Sequence, residues 1–152
     1  MRRIPWIAVV LLAAAGCGAD SAVPCTMIGT PVGIGLSIPQ PAGITRATLD
    51  ACWGGRCVTR QVGLFPESAA GATTCSGGVC GASAVPTGGL RGFADVPGLP
   101  AGPVRVTVRF DDGKPHGVEV TPSFSEPNGP ACGKAGPQAQ LLVGAGGELR
   151  AR

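Results

Sequence analysis

Two short segments of this chain share one form. Cys52-Trp53-Gly54-Gly55-Arg56-Cys57 and Cys75-Ser76-Gly77-Gly78-Val79-Cys80 both read Cys-x-Gly-Gly-x-Cys. Gly-Gly is a favoured two-residue hairpin turn, because a type I′ turn needs positive φ at both central positions. With the turn at Gly54-Gly55, Trp53 faces Arg56 in the hydrogen-bonded pair that closes it. Cys52 then faces Cys57 at the next, closer rung, where a Cα separation of about 4.5 Å suits a disulfide. Further out, Ala51 pairs with Val58, Asp50 with Thr59, Leu49 with Arg60, Thr48 with Gln61 and Ala47 with Val62. One face then holds Ala47, Leu49, Ala51, Val58 and Val62, with only Arg60 out of place. The other holds Thr48, Asp50, the disulfide, Thr59 and Gln61. A one-residue slip would scramble both faces, so the sequence predicts this register with the bridge on the polar side. Cys75 and Cys80 pair likewise. Their flanks, Ala72-Thr73-Thr74 and Gly81-Ala82-Ser83, make poor strands, so a small mobile hairpin held mainly by its bridge is expected.

The chain has seven cysteines. After these two bridges Cys17, Cys25 and Cys132 are left. Six cysteines allow fifteen connectivities; the set chosen is Cys52–Cys57, Cys75–Cys80 and Cys25–Cys132. By chain entropy each short ring contributes about 2 kcal/mol and the long one about 5 kcal/mol. Zinc sites use tighter cysteine spacing, and redox pairs use Cys-x-x-Cys at a helix start. Neither pattern is present, and a single His argues further against a metal centre.

The seventh cysteine belongs to the start of the chain. Met1-Arg2-Arg3 is positive, and the run from Ile4 to Ala15 is uncharged and mostly apolar. That run is too short to span a bilayer, which takes about 20 residues, and has the form of an export leader. It ends in Ala14-Ala15-Gly16-Cys17, which resembles the lipobox of bacterial lipoproteins. The resemblance implies that Cys17 receives a diacylglyceryl group, that residues 1–16 are removed, and that the protein is held on the outer face of the cytoplasmic membrane. Two acyl chains suffice for stable anchoring. Residues 17–24 are then the lipidated Cys and a short tether. Twelve Lys and Arg stand against nine Asp and Glu, and losing Arg2 and Arg3 with the leader leaves +1. So small a charge gives no electrostatic basis for binding nucleic acid.

The rest, 25–152, reads as one domain. Ile34, Leu36 and Ile38 alternate with Gly and Ser, as Val104, Val106, Val108 and Phe110 alternate with Arg and Thr. Val118 and Val120 continue the pattern, and Leu141-Leu142-Val143 is a short apolar run. Turn signals fall at Pro39-Gln40-Pro41, Pro66-Glu67-Ser68, Pro86-Thr87-Gly88-Gly89, Pro97-Gly98, Asp111-Asp112-Gly113, Pro127-Asn128-Gly129 and Gly144-Ala145-Gly146-Gly147. Short alternating strands at such spacing predict an all-β fold, a single antiparallel β-sandwich (Ig-like or prealbumin-like) stapled by disulfides. The segment from Phe93 through Pro97-Gly98-Leu99-Pro100-Ala101-Gly102 to Val108 resembles prealbumin-like sandwiches such as carboxypeptidase-regulatory-like modules, with Val104 where Tyr is usual. That resemblance implies a non-catalytic module. The lipobox, the Cys-x-Gly-Gly-x-Cys hairpin and Ser125-Glu126-Pro127-Asn128-Gly129-Pro130-Ala131-Cys132 together resemble small lipoproteins of high-GC Gram-positive bacteria.

No catalytic constellation is visible. His116 follows a turn and reads as a solvated loop residue, without a nucleophile or orienting acid beside it. Asp111, Asp112 and Glu119 lack the oxygen-rich spacing of a calcium loop. Trp53 is expected on the core face with Leu49 or Ala51; if exposed, it is the best single candidate for a contact residue. The arginines at 46, 56, 60, 91, 105 and 109 are expected to solvate outer faces. The expected function is a non-enzymatic surface module, without cofactor or metal, binding a protein or envelope ligand. The alternative is a structural or accessory subunit of a cell-envelope assembly, and a distant alternative is an enzyme with no recognisable catalytic motif.

Overall fold

The computed structural model describes residues 25–26, 29–41 and 43–152. The leader, Cys17 and the tether lie outside the described residues. Strands β1 (Gly33–Ile38), β4 (Leu64–Ser76), β5 (Val79–Asp95), β9 (Ala135–Val143) and β10 (Leu149–Ala151) form one sheet in the order β10-β9-β1-β5-β4, with β8 (Ser123–Ser125) also on β9. Strands β2 (Ala47–Trp53), β3 (Arg56–Val62), β6 (Val104–Arg109) and β7 (Pro115–Val120) form the other in the order β3-β2-β6-β7. The expected two-sheet sandwich is present. Its pairs are antiparallel except β1 with β9, which run parallel in the larger sheet. Alternation reveals a buried face but carries no strand direction, so the parallel pair has no local signature.

The period of two sets the core. Ile34, Leu36, Ile38, Ala94, Leu141 and Val143 of the larger sheet meet Ala47, Leu49, Ala51, Val104, Val106, Val108 and Val120 of the smaller. Val96 and Leu99 close the end where β5 stops, and Phe110 closes the end where β6 stops. Phe110 is the one aromatic among these buried side chains, and no polar or charged described residue is buried with them.

The first hairpin has the expected register on every rung from Ala47–Val62 to Trp53–Arg56. Gly54 and Gly55 have φ of 55° and 79°, as the turn requires. Arg60, the misfit of the apolar face, lies on edge strand β3. Its Nε donates to Asp95 O at 2.9 Å and its Nη1 to Thr59 O at 2.9 Å. The guanidinium thus leaves the core and ties the rims of the two sheets. The chain then crosses between sheets at Gly63, and Gly92 makes room for the corner. A Cβ on Gly92 would fall 2.5 Å from Val62 Cγ1 and 2.8 Å from Gly63 O.

The second hairpin corrects the sequence expectation. The turns expected at Pro66-Glu67-Ser68 and Pro86-Thr87-Gly88-Gly89 are strand, and β4 and β5 form one long ribbon ending at Gly77-Gly78. Pairing continues through register shifts between Pro66 and Ser68 and between Ala70 and Thr73. Pro66 is on an edge strand, and Pro86 lies where β5 has β4 as its only paired neighbour among the described residues, positions where a missing N–H can face water. Strand preference is set by context more than by residue type. Here a closed turn, a bridge and an already paired base hold small residues extended.

β1 covers β5 only from Leu90 to Asp95, with Leu90 opposite Ile38. Beyond Ile38 the ribbon has no further paired strand among the described residues. The chain reaches β1 from the opposite end, at Gly33. There β9 begins alongside, and the Cys25–Cys132 bridge, with Cα atoms 5.4 Å apart, lies beyond Gly33. The first-described residues and the ribbon therefore occupy opposite ends of the sandwich.

Candidate functional site

The free part of the ribbon, 68–86, is built almost wholly of Ala, Ser, Gly, Thr and Val. No charged residue occurs between Glu67 and Arg91. Gly77 and Gly78 have φ of 57° and 81°, so the tip is a type I′ turn closed by Ser76 and Val79. Cys75 and Cys80 are bonded one rung back, with Cα atoms 4.0 Å apart. Val79 is 76% exposed and Val85 49%, and Phe65 is exposed at the base. The base is pinned by Thr87, whose Oγ1 donates to Glu67 O at 3.2 Å and accepts from Gly89 N–H at 3.3 Å.

What distinguishes the ribbon is the bare outer edge of its β5 leg among the described residues. Exposed sheet edges are normally protected by charge, proline or brevity. Edge strand β3 carries Arg56 and Arg60, β7 carries Pro115 and Glu119, and β10 is only three residues long with Arg150 in it. On the ribbon, 79–85 has no charge and no proline, and β5 has no bulge of its own there.

Trp53 is partly buried against the core, as expected for its face. Its outer side is covered by Arg56, whose guanidinium carbon sits 4.6 Å from the ring centroid, within cation–π range. Arg56 Nη2 also donates to Gly98 O at 3.3 Å. The tryptophan is thus held between core and arginine while staying partly exposed. The neighbouring Cys52–Cys57 bridge has Cα atoms 4.1 Å apart.

Several charged groups are engaged in holding loops and strands together. The Asp111 carboxylate accepts from Thr45 N–H at 2.6 Å, Thr45 Oγ1 at 2.9 Å, Arg46 N–H at 3.1 Å and Arg46 Nε at 3.1 Å. These bonds, the Thr45 and Arg46 backbone donors foremost, hold its pKa far below the usual carboxylate range. Asp50 is lowered too, first by Thr59 Oγ1 donating at 2.5 Å, with Arg109 pairing on its other oxygen. A cleft of about 560 Å³ runs past Gln61, Leu64, Arg109 and Asp111, but its charges already have partners. The arginines at 46, 56, 60 and 109 are therefore more than solvating groups.

His116 is a second correction. It is strand, opposite Val108 on β7, and half-buried. Its ring centre lies 5.7 Å from that of Phe110, and Gly147 passes close enough that a Cβ there would fall 2.7 Å from His116 Cε1. It shares the phase of Val118 and Val120, so the alternation extended one step further back than the turn suggested. Asp112 does serve the turn, accepting from Lys114 N–H at 3.0 Å. Among the described residues no three His, Cys, Asp or Glu side chains gather as metal ligands, and no helix is long and apolar enough to cross a membrane. Sequence reasoning missed the ribbon: pairing traced outward from Gly77-Gly78 holds only as far as Thr73–Ala82, where a register shift falls. No protein-family model, characterised protein or solved structure shows significant similarity to the chain.

Proposed function

We propose that this is an exported lipoprotein, moored through diacylglyceryl-Cys17, that uses the β4–β5 ribbon as a non-catalytic binding element for a protein or envelope component. The observation that carries the reading is the free part of the ribbon, 68–86, a charge-free strand pair beyond the sandwich whose β5 leg has an unguarded outer edge among the described residues. Open edges recruit extended polypeptide by main-chain hydrogen bonds. The mooring is supported by cysteine use. Six cysteines are paired in the described residues, which leaves Cys17 as the seventh.

Two measurements test this. Cys17→Ser should send the protein to the medium, and retention on membranes would refute the anchor. A photo-crosslinking residue at Ser83, on intact cells carrying the full chain, should give a covalent protein adduct. One at Glu119 on the far sheet should not. Absence of any adduct from position 83 would refute the ribbon as a binding element.

A further inference from the structure

Resting on that reading, we infer that the ribbon's partner is the ribbon of a second copy, joined antiparallel along the outer edges of the two β5 strands and centred on Ala82. With Ser76 and Val79 closing the turn, Val79 directs its N–H and C=O toward β4. Alternation then points the main-chain groups of Cys80, Ala82 and Ala84 outward, onto the open edge. A second identical edge in register about Ala82 sets Ala82 against Ala82 and Cys80 against Ala84 as hydrogen-bonded pairs. Gly81 then meets Ser83, and Val79 meets Val85. Val79 and Val85 are the two exposed large apolar residues of the free ribbon, and they stand equally far from Ala82 on one face. The twofold arrangement therefore covers each valine with the other copy's valine, at non-hydrogen-bonded rungs where side chains approach most closely.

The partner's chemistry follows from the same residues. A two-stranded ribbon with no packed face is marginal alone, and joining two makes four strands. The edge over 79–85 offers no charge for a charged partner and only small or medium side chains to pack against. An identical edge matches it in both respects, and isologous pairs are the commonest form of association. The two sandwiches end up at opposite ends of the joined ribbons, with their Gly33 ends about 80 Å apart at about 3.3 Å per residue. Copies held on one membrane would lie lengthwise along it, and confinement there raises their effective concentration.

The test uses full-length protein extracted from membranes in detergent, mixed from isotopically light and heavy cultures, with the photo-crosslinker at Ser83. The expected result is a mixed light–heavy adduct of two chains, joined near Gly81 of the second chain. A82K places like charges across the twofold, and the adduct should fall by up to about fivefold. Mixing A82K with A82E should restore it. Undiminished pairing of A82K overturns the proposed register. Crosslinks only to a different protein overturn self-pairing while leaving the ribbon a binding element. No adduct at all removes both readings. The substituted site is exposed and outside the core, so the three bridges should form in every variant.

Discussion

Two of the three bridges should differ sharply in what they do for folding, and the difference can be calculated. Cys25–Cys132 spans a sequence separation of 107 and Cys75–Cys80 a separation of 5. In the chain-entropy picture, opening the long ring frees about 5 kcal/mol of unfolded-state entropy, and opening the short one about 2 kcal/mol. Location widens the gap. The free part of the ribbon, 68–86, carries no side chain into the core, so without its bridge it can fray in the folded protein as well. The entropy gained then appears on both sides of the equilibrium and largely cancels. Replacing Cys25 and Cys132 together by Ser should therefore cost about 5 kcal/mol, a large share of the roughly 5–15 kcal/mol that small domains possess. Replacing Cys75 and Cys80 together should cost less than about 1 kcal/mol globally while abolishing slow amide exchange over 68–86. Urea unfolding, followed by circular dichroism and Trp53 fluorescence, gives the first quantity; exchange mass spectrometry gives the second. Equal global losses from the two replacements, or a loss under about 1 kcal/mol from the long ring, would refute the reasoning.

Other perturbations probe separate links. Leu49→Ala, at a fully buried site on β2, should destabilise by about 2–5 kcal/mol in urea titration. Gly92→Ala should cost about 1–3 kcal/mol because its methyl meets the Val62–Gly63 corner, whereas Gly81→Ala, with nothing within 4 Å, should be tolerated. Asp111 has a folded pKa depressed below its ordinary 3.8, so its stabilisation is fully present above that value and is lost progressively as the pH falls from there through the folded pKa. Asp111→Asn should therefore lower the melting temperature at neutral pH and flatten its decline below 3.8; an unchanged acid limb would show that the Thr45 and Arg46 bonds are not the cause.

The parts of this fold legible in the sequence are those where two local signals agree. Around Gly54-Gly55 the turn chemistry and the alternation fix the same register, and every rung follows. β1 and β6 are legible because Ile34, Leu36, Ile38 and Val104, Val106, Val108 repeat at the strand period. The ribbon was hidden because its residues neither alternate strongly nor favour strands, and its prolines look like breaks; the paired base and the bridge override both. Arg60 looked like an error of register until Asp95, far along the chain, supplied its partner. The same holds for His116, whose neighbours Phe110 and Gly147 come from the turn before it and from the β9–β10 loop. Such long-range partners leave no mark on the residues around them.

The opposed placement of the Cys25–Cys132 end and the hairpin tip has a mechanical consequence. The two lie about 50 Å apart along the strands, counting β1 and 68–76 at about 3.3 Å per residue. Tension applied between them would run parallel to the strand axes. Because Cys75–Cys80 couples both legs of the ribbon, the load would enter β4 and β5 together and pass to β1 as shear across the Leu90–Ile38 to Asp95–Gly33 rungs. Rungs loaded in shear must yield collectively, whereas a peeled edge opens one at a time. The Cys25–Cys132 link would carry the same load onward to the segment leading into β9, so the line of force passes from covalent tie to covalent tie through the stiffest direction of the sheet.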